Sequence, residues 1–175
     1  NDASRSETEK SRVNVGKAAL ATGLEVGYAV PVGSMFLLDV GGSYLSGAAT
    51  MSYTADNDVG AKNDVSFQVD KFVTVYIAPT LALSDTSSLY VKVGLTEADI
   101  GVTGDITTPG DLSGTTWAIG TRTVLESGVF IRSEAGYTDY NGISSTGKGT
   151  AAASGGIKAG TSYSAEPTIA YGKVS

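Results

Sequence analysis

The chain has 175 residues, a length typical of one domain over 1–175, and a net charge of −6 from 12 basic and 18 acidic side chains. It has no histidine and no cysteine, which excludes disulfides, thiolate metal sites and the commonest general base. Because phosphate neutralisation dominates nucleic-acid affinity, an acidic chain without a basic patch excludes nucleic acid as a partner. No run of about 18 apolar residues predicts a transmembrane helix.

Seven segments alternate apolar with small or polar residues at every second position, which predicts β-strands with two unlike faces. In the clearest segment, Val75 and Ile77 alternate with Thr74 and Tyr76. No segment favours a helix, and Pro167 predicts a bulge in the last strand. In chain order, the predicted strands span residues 12–30, 35–55, 65–83, 89–97, 115–125, 129–140 and 161–175.

The apolar face of these strands is predicted to contact lipid. By parity, Val69 and Lys71 share this face with Val73. The side chains predicted to face lipid are Leu24, Val26, Phe36, Leu38, Val40, Val73, Val75, Ile77, Leu89, Val91, Val93, Ile119 and Ile131.

The polar face carries charges of both signs among glycines and alanines. This mixture is more typical of a narrow barrel interior than of a solvated surface, and such charges must pair because an unpaired buried ion is costly. The predicted lumen charge network consists of Glu25, Asp39, Lys92, Arg122, Arg132 and Glu134.

The connections alternate in length. Tight turns follow residues 30, 83 and 125, whereas long polar loops follow residues 55, 97 and 140, the last of them a Gly-, Ala- and Ser-rich loop over 141–160. Outer-membrane barrels show this asymmetry between periplasmic turns and extracellular loops. An aromatic girdle is predicted from Tyr28 at the turn end and from Tyr44, Trp117 and Tyr137 toward the loop end.

Segments 23–31, 117–120 and 130–140 carry a family resemblance. In the last of them, Arg132, Glu134, Tyr137 and Tyr140 match a frequent C-terminal hairpin pattern. The chain therefore resembles the outer-membrane β-barrel superfamily of outer-membrane protein A, outer-membrane protein X and the opacity proteins. The resemblance implies an all-β, antiparallel, up-and-down transmembrane β-barrel of eight strands in the outer membrane of a Gram-negative bacterium, with loops extracellular.

Two departures from that family qualify the resemblance. Only seven strands are predicted, and the sequence ends Lys173-Val174-Ser175 without a terminal aromatic residue. The expectation is a piece of a longer protein that lacks the first strand and the last residues of the barrel.

Chemistry at a metal or a catalytic centre is not expected. Asp56, Asp58 and Asp64 offer oxygen ligands for Ca²⁺, but the spacing lacks the final glutamate of an EF-hand, and a solvated loop of Asx turns is the favoured interpretation. Without histidine, the usual nucleophile–base pair cannot form. The chain is therefore predicted to be neither an enzyme nor a cofactor protein.

Two functions remain, with a weaker third. The first is a structural surface protein in outer-membrane lipid and lipopolysaccharide, whose loops meet a ligand, another cell or phage. The second is a small passive channel. The third is a secreted fibre subunit that buries its apolar face between protomers. Bulky candidates for the interior, Tyr76, Tyr90 and Lys92, favour the first, because an eight-stranded barrel is just wide enough for side chains to fill. The sequence sets no oligomeric state.

Overall fold

A computed structural model describes residues 20–47, 49–55, 63–104, 106–127, 129–148, 159–160 and 162–175. These residues form an all-β, antiparallel structure. The described residues contain no helix that could span a membrane. The strands are β1 (Thr22–Pro31), β2 (Phe36–Ser46), β3 (Ala49–Ala55), β4 (Asn63–Ala82), β5 (Ser87–Thr103), β6 (Leu112–Val124), β7 (Phe130–Tyr140), β8 (Ile143–Thr146), β9 (Ser162–Ala165) and β10 (Thr168–Val174).

The main sheet runs up and down in the order β1-β2-β4-β5-β6-β7-β10, so its strands follow one another across the sheet in the order of the chain. β3 pairs with the first part of β4 and β2 with the second part, which places β2 and β3 along one line. β8 and β9 form a separate hairpin. Among the described residues, β1 and β10 are the edges of the main sheet and do not pair with each other.

Three tight turns close hairpins at one end of the sheet, which we call the turn end. Each is fixed by a backbone hydrogen bond, for example from Leu83 N–H to Ser87 O (2.8 Å) and from Leu125 N–H to Val129 O (2.7 Å). The opposite end, which we call the loop end, carries the longer connections.

The sheet is curled. Glu25 on β1 forms an ion pair with Lys173 on β10, although these are opposite edges of the sheet. We call the face on which they meet the inner face. Along β5 the side chains on the inner face are buried and those on the outer face are more exposed. Tyr90 and Lys92 on the inner face are each 2% exposed, while Leu95 on the outer face is 65% exposed.

The prediction of one continuous strand over 35–55 is wrong. The strand breaks after β2, and the Gly47 N–H donates to the Asp70 carboxylate instead (3.1 Å). Opposite the break, the pairing of β4 with β5 shifts between Asp70 and Val73, and Lys71 takes a φ of 53°. A β-bulge reverses the facing of the residues on one side of it.

This bulge also overturns the predicted facing of Val69. Val69 is 3% exposed on the inner face, whereas Val73 is 47% exposed on the outer face. The extra residue at the bulge places Val69 and Val73 on opposite faces of the sheet. The apolar residues that alternate along this segment of the sequence therefore do not all lie on one face.

Strand ends differ from the prediction in three further places. β5 continues to Thr103, well past the predicted end at 97. The predicted loop over 141–160 contains β8, and the predicted last strand is split into β9 and β10 around Pro167. Residues 12–19 of the first predicted strand lie outside the described residues.

Candidate functional site

Five charged side chains from four strands meet on the inner face, and we call them the charge cluster. Inward positions of β1, β5, β7 and β10 place their heads together because the sheet curls. Lys92 Nζ lies 2.6 Å from Glu134 Oε2 and 3.3 Å from Glu25 Oε1, and Arg132 Nη1 lies 2.8 Å from Glu25 Oε1. Lys173 pairs with both carboxylates. The charge cluster consists of Glu25, Lys92, Arg132, Glu134 and Lys173.

The cluster is buried, so its charges depend on one another. Lys92, Glu134 and Arg132 are 2%, 5% and 7% exposed. Taking ions out of water costs free energy that only good pairing and added hydrogen bonds recover. Three cations face two carboxylates here, which makes each carboxylate the partner of more than one cation.

Tyrosine hydroxyls supply the added hydrogen bonds. Tyr76 donates to Glu25 (2.7 Å), and Tyr90 and Tyr171 donate to Glu134 (2.8 and 2.9 Å). Two of the rings also stack under cations, with Lys92 Nζ 4.2 Å from the Tyr76 centroid and the Arg132 guanidinium 4.4 Å from that of Tyr90. Such cation–π contacts strengthen when water is excluded.

Glycines on the inner face make room for these rings. A Cβ built on Gly120 would lie 2.4 Å from the Tyr90 hydroxyl, and one built on Gly41 would lie 2.6 Å from the Tyr76 hydroxyl. Any larger residue would displace the ring. Because these glycines have no side chain, the tyrosine rings can occupy the space above them.

The remaining two predicted network residues form their own pair nearer the turn end. Arg122 Nη1 lies 3.5 Å from Asp39 Oδ2. The pair borders a cavity of about 380 Å³ that also reaches Tyr76 and Arg132. All six predicted network residues thus lie on the inner face, four in the charge cluster and two in this separate pair.

Sequence reasoning missed Lys173 and Tyr171. The bulge predicted at Pro167 leaves the facing of the last segment ambiguous, so parity assigns its side chains to neither face. The signal lay in the spacing of residues 169, 171 and 173, which all turn inward on β10 and are half-buried.

Further along the interior, toward the loop end, four buried threonines on adjacent strands form what we call the threonine row. Their hydroxyls are linked in sequence, Thr74 to Thr96 at 2.8 Å, Thr96 to Thr116 at 2.5 Å, and Thr116 to Thr138 at 2.6 Å. A hydroxyl can both donate and accept, so the row satisfies itself without charged groups.

The outer face carries an exposed apolar surface. Of the side chains predicted to face lipid, Leu38 and Val93 are half-buried and all the others are exposed. The four predicted girdle residues are exposed as well, Tyr28 at 71% and Tyr44, Trp117 and Tyr137 at 44–48%. We call the following exposed side chains the belt: Leu24, Val26, Tyr28, Phe36, Val40, Tyr44, Val73, Val75, Ile77, Leu89, Val91, Leu95, Trp117, Ile119, Ile131 and Tyr137.

The suggested Ca²⁺ ligands give no site to describe. Asp56 and Asp58 lie outside the described residues, and so does the side chain of Asp64. Within the described part of the chain, no group of three acidic side chains is arranged to hold a metal ion.

Comparison of the chain with protein-family models, with curated proteins and with solved structures found no match. The features that bear on function are therefore the two faces of the sheet.

Proposed function

We propose that this chain belongs to an outer-membrane β-barrel protein with a side-chain-filled lumen, which anchors extracellular loops at the cell surface. One observation carries the proposal. The curled sheet exposes the belt on its outer face and buries the charge cluster on its inner face. This arrangement is the reverse of a water-soluble protein, in which charged groups face solvent and large apolar groups face the core.

The belt needs an apolar partner. Removing a Val, Leu, Ile or Phe side chain from water contributes about 1.5–3 kcal/mol, and monomeric proteins seldom leave a contiguous apolar surface of this extent in water. Lipid hydrocarbon satisfies the whole belt at once. On β4 the outward apolar positions run from Val73 to Ile77 and end with Leu83 just past the strand, which matches the roughly 9–11 residues of a tilted strand that crosses a bilayer.

A barrel also accounts for the edges of the sheet. In hydrocarbon, unpaired backbone groups are too costly to leave exposed, so membrane-spanning sheets are closed. The resemblance to outer-membrane proteins A and X supports an eight-stranded barrel, in which one further strand lies between β1 and β10. The turn end then faces the periplasm, and the loop end meets lipopolysaccharide, other cells or phage.

A passive channel is the second candidate, and one observation favours it. The cavity of about 380 Å³ is bordered by Asp39, Arg122 and Arg132, so charged side chains line this open space. A polar, water-filled interior is typical of the channels among outer-membrane barrels. Against the channel, tyrosine rings cover Gly41 and Gly120, where a water path would need space.

The single tryptophan tests the membrane proposal without any substitution. Trp117 is the only tryptophan in the chain and is 45% exposed in the belt. After refolding into vesicles, its emission should shift to the blue and be quenched by lipids brominated on their acyl chains. Unbrominated vesicles of the same lipid are the control. Aqueous emission without lipid quenching, in a chain that has regained its β-sheet spectrum, would contradict the proposal and leave the fibre subunit as the better interpretation.

A further inference from the structure

The chemistry of both faces of β5 changes at one point of the strand. From Leu89 to Leu95 the outward residues of β5 are apolar, whereas the next two outward residues are Glu97 and Asp99. Inward residues change in the opposite sense, from Lys92 below Thr96 to Ile100 above it. The strand alternates without a bulge on its β6 side, so no shift of register explains the exchange.

Neighbouring strands make the same exchange near the threonine row. On β4 the last apolar outward residue is Val73 and the next is Lys71, which pairs with Asp99 at 2.9 Å. On β7, Tyr137 is followed outward by Asp139, while Tyr140 turns inward and is 4% exposed.

Beyond the row the inner face holds a second core, which we call the apolar cap. Leu112 is 0% exposed at its centre, and Phe67 and Ile143 are among the side chains that pack against it. Among the described residues, every buried charged side chain lies on the other side of the threonine row. The apolar cap consists of Val69, Ala98, Ile100, Leu112 and Tyr140.

We infer that the sheet leaves the hydrocarbon at the threonine row and continues into water, where the apolar cap seals the loop end of the charged interior. The inference rests on the proposed membrane function. Below the row the surrounding medium favours apolar side chains outside, and above it the medium favours charged side chains outside and an apolar core inside. A change of solvent reverses both faces together, which a single medium does not do.

The register places this boundary obliquely across the strands. Val73, the last apolar outward residue of β4, pairs with Glu97, which is already polar. Leu95, the last on β5, pairs with Thr115 of β6. From β6 to β7 there is no further step, because Trp117 pairs with Tyr137. From β4 to β7 the boundary thus shifts by two outward positions, an oblique course as expected where strands tilt by about 35–45° from the membrane normal.

A tryptophan scan along the outer face of β5 tests the boundary. In a Trp117→Phe background, tryptophan is placed singly by Val91→Trp, Leu95→Trp and Asp99→Trp, at steps of four residues or about 13 Å along the strand. The first two should emit to the blue and lose more than half of their emission to brominated lipid. Asp99→Trp should emit as in water and be quenched by iodide instead.

The three positions separate the inference from the proposed function. Quenching of all three by brominated lipid would overturn the boundary and leave the membrane proposal standing. Quenching of none would overturn both. Glu97→Trp, with the same expected aqueous emission as Asp99→Trp, replaces it if loss of the Lys71–Asp99 pair prevents folding, and heat-dependent gel migration of each variant confirms the folded state.

Discussion

At the scale of single residues, each charge of the cluster depends on partners that come from distant parts of the chain. Parity along each strand predicts one face for all six network residues, and all six lie on the inner face. Their partners depend on how far the sheet curls and how its strands are staggered, since Glu25 and Arg132 stand on strands that are not adjacent. Neither the curl nor the stagger can be predicted from the alternation along one strand.

Removing one charge from the cluster should be far more costly than removing one at the surface. In Glu134→Gln, a side chain of the same shape leaves Lys92 without its partner at 2.6 Å, and breaking a buried pair typically costs about 3–5 kcal/mol. The matched control, Asp99→Asn, breaks the exposed pair with Lys71 and should cost at most about 1 kcal/mol. Urea unfolding in lipid vesicles measures both, and equal losses would mean that the cluster is hydrated rather than buried.

Lys71 shows why the bulge could not be read from the sequence. Apolar residues occur at odd positions on both sides of it, at Val69 and Val73, so the alternation continues although the facing does not. In the structure the bulge appears as a shift in the pairing of β4 with β5 and as a φ of 53° at Lys71. A left-handed backbone costs a residue with a Cβ roughly 1–2 kcal/mol, and glycine avoids this cost.

Glycine at position 71 should therefore stabilise the fold relative to alanine. Both Lys71→Gly and Lys71→Ala remove the ion pair with Asp99, so their difference isolates the backbone. We expect Lys71→Gly to be the more stable by about 1 kcal/mol, measured by the same urea unfolding. In an ordinary strand position the order is reversed, so alanine being the more stable would contradict a left-handed residue here.

At the scale of strands, the segments inside the belt were predicted well and their continuations toward the loop end were not. The sequence predicts that β5 ends at Glu97, just after the run of apolar residues at alternate positions from Leu89 to Leu95. The strand continues to Thr103 with the same alternation and exchanged chemistry. A prediction based on which face is apolar ends where the chemistry of the two faces is exchanged, even though the hydrogen-bonded strand continues.

Arginine substitutions on the outer face should reduce the free energy of unfolding by different amounts on the two sides of the threonine row. Val75→Arg places a charge in the middle of the belt and should cost about 2–4 kcal/mol near the bilayer midplane. Glu97→Arg, on the adjacent strand beyond the threonine row, should change stability by less than about 0.5 kcal/mol, as surface substitutions usually do. Urea unfolding in vesicles measures the free energy of unfolding of both variants. If Val75→Arg destabilises the protein no more than Glu97→Arg does, lipid is not the partner of the belt.

At the scale of the whole molecule, the inner face of one up-and-down sheet carries two buried regions of opposite character. The charge cluster and its tyrosines fill the part inside the belt, and the apolar cap fills the part beyond the threonine row. An all-β antiparallel fold could be predicted because alternation is local. The second interior could not, since its members come from segments as distant as Phe67 and Ile169 and meet only after the sheet has formed.

Ion conduction distinguishes the two functions proposed for this molecule. Tyrosine rings cover Gly41 and Gly120, and the cations are paired with carboxylates, so we expect no wide water path along the described strands. In a planar bilayer the protein should pass little or no steady current. The passive-channel interpretation instead expects regular single-channel steps, and recording them from the unmodified protein would replace the anchoring function with that of a porin.

A variant that opens the interior gives this experiment its positive control. Arg132→Ala removes the guanidinium that pairs with Glu25 at 2.8 Å and stacks on Tyr90. It leaves a buried carboxylate with one partner fewer and creates space beside the existing cavity of about 380 Å³. The variant should unfold at lower urea and pass more current than the parent, because the lost pair costs about 3–5 kcal/mol and the lost bulk widens the path. If Arg132→Ala is destabilised but passes no more current than the parent, the barrier to ions lies in the apolar cap rather than in the charge cluster. In that case Ile100 and Leu112 still close the loop end.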